Sequence, residues 1–229
     1  MNDASEWLYP EELIRSELDK LLNNLRANHV LRAFRTGPLT KAEEMENFLF
    51  STKQLFSTDE KFLDAFVCSF SGKKDDLSQW RGYCPNGNGF CVGFDLSKLL
   101  QKAENQSYTV KRCEYDPKIH FTQIENILKE FTANLENTDN KFIGNVLILI
   151  RKFYAIAPFI KHKSFKDEQE WRIVNMLRGE KIDIEFRDGK SMIVPYIEFK
   201  LAEEGEALPI KEIIVGPTPQ MEWNYLSIL

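Results

Sequence analysis

Between Phe66 and Phe94 the chain reads FVCSFSGKKDDLSQWRGYCPNGNGFCVGF, and this stretch constrains the fold more than any other. It opens on the short apolar run Phe66–Phe70 and closes on Gly89–Phe94, both of strand length and strand composition. The pair predicts two buried strands flanking a loop. That loop carries Asp75, Asp76, Ser78, Gln79, Trp80, Arg81 and Tyr83, punctuated by Gly72, Gly82, Gly87 and Gly89. Rigid strands holding a loop dense in polar and aromatic groups are how a scaffold presents a site. Gly87-x-Gly89 is not a phosphate-binding fingerprint, because a strand follows it where the fingerprint requires a helix.

The rest of the chain limits what that site can serve. With 229 residues, 43% of them hydrophobic and 28% charged, the usage is that of a globular protein with a substantial core. A formal net charge of -5 argues against a general nucleic-acid binder, which carries a basic surplus. The four cysteines, Cys68, Cys84, Cys91 and Cys113, form no CxxC pair, and His29, His120 and His162 are scattered. No metal-ligand spacing results, and the cysteines read as free thiols in a reducing cytoplasm. Met1–Pro10 has neither a basic segment nor an apolar stretch, and the most hydrophobic helix candidate is interrupted at Arg151-Lys152. The expectation is therefore a cytoplasmic chain without signal peptide or membrane span.

Periodicity places the elements. Pro10-Glu11-Glu12 predicts a helix start, followed by Leu13, Ile14, Leu18, Leu21, Leu22 and Leu25 on one face to about Ala27. Thr40 with Glu43 predicts a capping box opening a helix through Leu49. Asp95 caps a short helix, Ser107–Tyr115 alternates as a strand, and Asp116-Pro117 starts a helix with Ile119, Ile124, Ile127, Leu128 and Phe131 inward. A long apolar helix near 141–160 follows. The last third reads as strands: Glu170–Met176, a hairpin of Ile182–Phe186 with Met192–Phe199 about Asp188-Gly189, and Ile210–Val215 before Gly216-Pro217. Trp223–Leu229 begins a closing helix. The prediction is a single α+β domain over 1–229, a central, mostly antiparallel sheet with flanking helices.

Three motifs in order give the chain a family likeness. Asp76-Leu77-Ser78-Gln79-Trp80-Arg81-Gly82-Tyr83 with Gly89–Phe94 comes first, then Lys163–Arg172 (KSFKDEQEWR), then Ile210–Pro217. Together they resemble the bacterial domain-of-unknown-function family 2971. Members of that family usually open with a tyrosine-histidine-tyrosine-threonine strand, then a turn that Met1–Glu6 resembles, so this chain is expected to lack the N-terminal strand. The missing opening is similar to the first motif of ADP-ribosyltransferase-like folds, which implies NAD as co-substrate and a glutamate that orients the ribose. It also implies that Asn2, Asp3 and Glu6 sit near the site.

The residues offer chemistry that fits this implication. Glu168 and Glu170 are two apart, so on a strand both carboxylates face one side. Opposite an oxocarbenium-like transition state, one holds the ribose while the other activates an acceptor. The alternative is a solvated acidic pair, or ion pairs with Arg172 or Arg81. Ser78, Gln79, Trp80, Arg81 and Tyr83, with Arg172, are the candidate substrate-binding residues. Arg81 either clasps a phosphate or carboxylate bidentately or pairs with a structural acid, and Trp80 and Tyr83 either stack on a ring or anchor the core. Cys84 and the three histidines read as bystanders.

Three function classes follow. One is an NAD-using ADP-ribosyltransferase-like enzyme or toxin, with Arg81 and Glu170 facing a shared cleft. Another is a non-catalytic module that binds a nucleotide-type small molecule or a protein partner, in a defence or regulatory system. The third is a nucleic-acid enzyme holding Mg²⁺ on Asp75, Asp76, Glu168 and Glu170, which the acidic net charge opposes.

Overall fold

The computed structural model describes residues 5–27, 40–57, 65–84, 89–135, 142–176, 183–189, 192–217 and 220–226. The chain mixes helix and sheet and divides into two compact, discontinuous units: Met1–Ala65 with Cys113–Lys166, and Phe66–Arg112 with Asp167–Leu229.

The first unit is helical. Its helices are α1 (Ser5–Ala27), α2 (Lys41–Ser57), α5 (Pro117–Leu135) and α6 (Phe142–Ile156), the last running into a 3₁₀ turn at Ala157–Phe159. Ile14, Leu18 and Leu22 recur every four residues, so α1 presents one apolar stripe and buries it. Phe48 and Leu49 of α2, Ile124, Leu128 and Phe131 of α5, and Leu149, Ile150 and Phe153 of α6 complete the core. α1 packs on α2 and α5, and α6 packs on the same two, which closes the ring of four. Each fully buried side chain of this kind contributes roughly 1.5–3 kcal/mol. The expected capping box is present: the Thr40 amide donates to Glu43 Oε2 at 2.6 Å and the Glu43 amide to Thr40 Oγ1 at 3.3 Å.

Several features of this unit differ from the sequence reading. α1 starts at Ser5, leaving Pro10 inside the helix rather than at its first position. The missing proline N–H falls on the Glu6 carbonyl, so one hydrogen bond is lost in the first turns while the apolar stripe continues. α2 runs on to Ser57 rather than ending at Leu49, and the buried Thr52 in the added turns satisfies its hydroxyl on the Phe48 carbonyl at 2.8 Å. Ile119 is exposed at the start of α5, one turn ahead of the buried Ile124.

The second unit holds β1 (Ala65–Ser71), α3 (Leu77–Tyr83), β2 (Phe90–Phe94), α4 (Leu96–Asn105), β3 (Thr109–Arg112), β4 (Glu170–Met176), β5 (Glu185–Asp188), β6 (Ile193–Tyr196), β7 (Ile210–Val215) and α7 (Met221–Leu226). Among the described residues the strands form three small sheets instead of one central sheet: β1-β4-β3, β2-β7 and β5-β6. The β2–β7, β3–β4 and β5–β6 pairs are antiparallel. β4 is the middle strand of its sheet, which is why its residues are almost all buried.

The two runs that open and close the Phe66–Phe94 stretch therefore do not pair with each other. β1 takes β4 as neighbour and β2 takes β7. Neither is fully buried; Phe90 and Val92 are exposed on β2. β2 and β7 keep the register Phe90↔Val215 to Gly93↔Glu212, then slip at Gly93/Phe94. A Cβ on Gly93 would lie 2.7 Å from Glu212 Cγ, so glycine lets that carboxylate side chain cross the strand.

Candidate functional site

The segment read as a loop contains a short helix. Asp76 is its N-cap, in extended conformation, and its carboxylate accepts from the Ser78 amide at 2.8 Å and from the Ser78 hydroxyl. Lys73 Nζ lies 3.3 Å from the same carboxylate. These hydrogen bonds, the Ser78 hydroxyl first, hold the Asp76 carboxyl down at about 2. An aspartate at the N-cap, here followed by Leu77 and Ser78, is the ordinary signature of such a start, so this helix is open to sequence reading.

α3 points Trp80 inward. Asp75 has a left-handed backbone (φ 53), a conformation aspartate tolerates better than most residues, and there its Oδ1 accepts from Trp80 Nε1 at 3.0 Å. The indole is buried against backbone: a Cβ on Gly216 would fall 2.8 Å from its Cζ3. The Gly216 amide donates to the Gly89 carbonyl at 2.9 Å, tying the ends of β2 and β7 together beneath the ring. A Cβ on Gly89 would sit 2.2 Å from Cys84 Sγ. The tryptophan motif, Gly89 and the closing Val215-Gly216-Pro217 thus form one packing unit: the ring needs glycines where the two strand ends meet.

Beside this post lies a cavity of about 310 Å³ lined by Leu77, Trp80, Arg81, Cys84, Gly89, Gly216 and Pro217. Among the described residues its walls are apolar side chains and backbone, with the Cys84 thiol and one cation. Arg81 is exposed, and among the described residues it has no ion pair or hydrogen-bond partner. Its neighbours differ: Lys73 pairs with Asp76, and Lys74 Nζ lies 3.2 Å from Glu212. The structural ion pair open to Arg81 in the sequence does not form among these residues.

Glu168 and Glu170 do not share a strand. Glu168 ends a 3₁₀ helix, Lys163–Glu168, and Gln169 turns the chain through a left-handed residue (φ 46) into β4. The two-residue rule for a common face fails because only Glu170 is in the strand. Glu170 is 5% exposed and Arg172 1%, and they grip each other: Arg172 Nε to Oε1 at 2.7 Å and Nη2 to Oε2 at 3.2 Å. A buried, doubly bonded pair is the ion-pair alternative for these residues. The segment does touch the first motif. The Gly72 amide donates to the Gln169 carbonyl at 2.9 Å, and Ser71 Oγ donates to the Glu168 carbonyl at 3.1 Å. A Cβ on Gly72 would lie 2.9 Å from that Gln169 carbonyl, so glycine permits the close approach. The cavity wall holds Arg81 but neither Glu170 nor Glu168.

Of the remaining candidates, Ser78 serves the Asp76 cap, Gln79 is half-buried and outside the cavity wall, and Tyr83 is 73% exposed. Leu77, Cys84 and Pro217 line the cavity without having been singled out as ligand groups, because apolar wall residues carry no sequence signal of their own. Asn2, Asp3 and His29 lie outside the described residues. His120 is buried in the first unit, where its Nε2–H donates to the Glu114 carbonyl at 2.8 Å; it is a satisfied core histidine. No three His, Cys, Asp or Glu side chains among the described residues converge on a metal position. Asp75 and Asp76, the acids read as Mg²⁺ ligands, are spent on Trp80 and on the helix cap.

Residues 79–173 match the sequence model of a family described as a protein of unknown function, DUF2971. The chain resembles that family. The DUF2971 match runs from inside the tryptophan motif to Ile173, just past the Glu170-Trp171-Arg172 strand, and so takes in most of the first motif and all of the second. The third, Ile210–Pro217, stands outside the match, although its Gly216 packs on Trp80. No curated protein and no solved structure shows a significant match. No helix among the described residues is long and apolar enough to cross a membrane.

Proposed function

We propose that the second unit is a non-catalytic ligand-binding module whose site is the cavity beside α3. The observation that carries this is a guanidinium without a partner in the wall of an apolar cavity of about 310 Å³. Small-molecule sites are concave and mostly apolar, with a few polar groups that fix orientation. Trp80 serves this site as a post, since its Nε1 is bonded to Asp75 and its ring is packed on Gly216. A transferase has less support. Its carboxylate must face a sugar, whereas Glu170 is buried and bonded to Arg172 through both oxygens.

The test is calorimetry and thermal shift on the full chain with nucleotides, ADP-ribose, NAD and small organic acids. A ligand that binds only the folded state stabilises it by about 2.7 kcal/mol at a hundredfold excess over its Kd. At least one class is expected to raise the melting temperature, and Leu77→Trp, which fills the cavity from its exposed edge, to abolish the shift. A flat response to every compound would turn the reading towards a protein partner. NAD consumption by the wild type that disappears in Glu170→Gln would restore the transferase.

A further inference from the structure

The cavity wall also specifies a chemistry. We propose that its ligand is a small organic carboxylate, an apolar ring or branched chain with a single negative charge, and that Arg81 is the residue that selects it. This rests on the reading of the cavity as a ligand site.

Charge sets the first limit. Lys73 and Lys74, the other cations of the same segment, are committed to Asp76 and Glu212, so among the described residues the wall offers one positive charge. A carboxylate balances it. A phosphomonoester brings about 1.5 to 2 negative charges at neutral pH, and a dinucleotide's diphosphate brings two.

Donors set the second limit. Around the cavity the Cys84 amide is spent on the Trp80 carbonyl, the Gly216 amide on the Gly89 carbonyl, and Pro217 has no amide hydrogen. Among the described side chains of the wall the Arg81 guanidinium is the cationic donor, and its two parallel N–H groups match the two oxygens of a carboxylate. Size agrees: about 310 Å³ lies at the bottom of the roughly 300–1,000 Å³ range of ligand pockets, room for one or two rings. Leu77, the Trp80 edge and Pro217 supply the apolar contact for that body.

Cys84 gives a reporter inside the wall, half-buried, while Cys68 is exposed and serves as an internal control. The full chain is titrated by calorimetry with benzoate and indole-3-acetate, with their neutral amides benzamide and indole-3-acetamide, and with phenyl phosphate and NAD. Alkylation of each cysteine is followed in parallel by peptide mass spectrometry. The acids are expected to bind and to slow alkylation of Cys84 but not of Cys68, and the amides to bind at least roughly tenfold more weakly. Arg81→Gln is expected to weaken the acids by roughly tenfold to a hundredfold, as for loss of a charged hydrogen bond, and to leave the amides unchanged. Arg81→Lys keeps the charge without the fork and falls between.

Amides that bind as tightly as acids overturn the charge selection and leave the cavity standing as a site. Phenyl phosphate or NAD binding more tightly than benzoate overturns the ligand class. Acid binding that leaves Cys84 unprotected overturns the location. If none of these compounds binds, the carboxylate proposal is lost, and the cavity reading falls with it only if the wider panel of nucleotides and acids is flat too.

Discussion

Replacing Gly216 by alanine tests the packing unit on which the site stands. The added Cβ would lie 2.8 Å from Trp80 Cζ3, 3.0 Å from Cε3 and 2.9 Å from the Gly89 carbonyl oxygen, all closer than side-chain carbons normally come. None of these atoms is the free end of a flexible chain. The indole is held by its 3.0 Å bond to Asp75, and the carbonyl by the 2.9 Å bond from the Gly216 amide itself. Overpacking of this kind costs about 1–3 kcal/mol, and distorting that hydrogen bond adds about 1 kcal/mol, for a total of roughly 2–4 kcal/mol. Gly82→Ala is the matched control. It sits in α3 with nothing within 4 Å of its Cβ, and alanine there is expected to gain up to about 1 kcal/mol of helix propensity. Because the chain has two compact units, urea unfolding is best read by hydrogen exchange of the β2 and β7 amides rather than by one global signal. Gly216→Ala within about 0.5 kcal/mol of wild type, the usual range for an innocuous substitution, would refute the argument that strand ends and tryptophan are fitted to each other.

Three further outcomes are expected. Glu170→Ala leaves the buried Arg172 without its bidentate carboxylate and is expected to destabilise the protein by about 3–5 kcal/mol in denaturant melts, far more than loss of a surface acid. Asp76 has a folded-state pKa of about 2, below its unfolded value, so its stabilising contribution is present above pH 4 and is lost as the pH falls towards 2; a carboxyl titration by NMR should show that late protonation, and Ser78→Ala should move it up. Thr40→Ala removes the α2 cap and should lower stability by about 0.5–2 kcal/mol, with the loss confined to exchange of the first-turn amides of α2.

The helices were legible where periodicity and caps agreed. Ile14, Leu18 and Leu22 report one face, and Thr40 and Glu43 report a start, because both signals are local. Pro10 misled by the same logic: it suits a first helical position, yet a long apolar stripe outweighs one missing hydrogen bond. The closing strand Ile210–Val215 is legible to the residue, since Gly216-Pro217 stops it. Strand partners were not legible. Nothing in Phe66–Phe70 says that it lies beside β4 rather than beside β2, because pairing is decided by contacts far apart in sequence. The site shows the same division. Trp80 and Arg81 stood out as residue types, whereas the cavity needed Gly216 and Pro217, remote in the chain, to become visible. Glu168 and Glu170 looked like a strand pair until Gln169 turned the backbone between them.

The most direct measurement is a crystal structure of the full chain with indole-3-acetate. The account predicts the carboxylate within about 3 Å of the Arg81 guanidinium, with the ring lying against Leu77 and Pro217 and Glu170 still bonded to Arg172. A molecule bound along Glu168–Arg172, with the cavity beside Trp80 left empty, would contradict it.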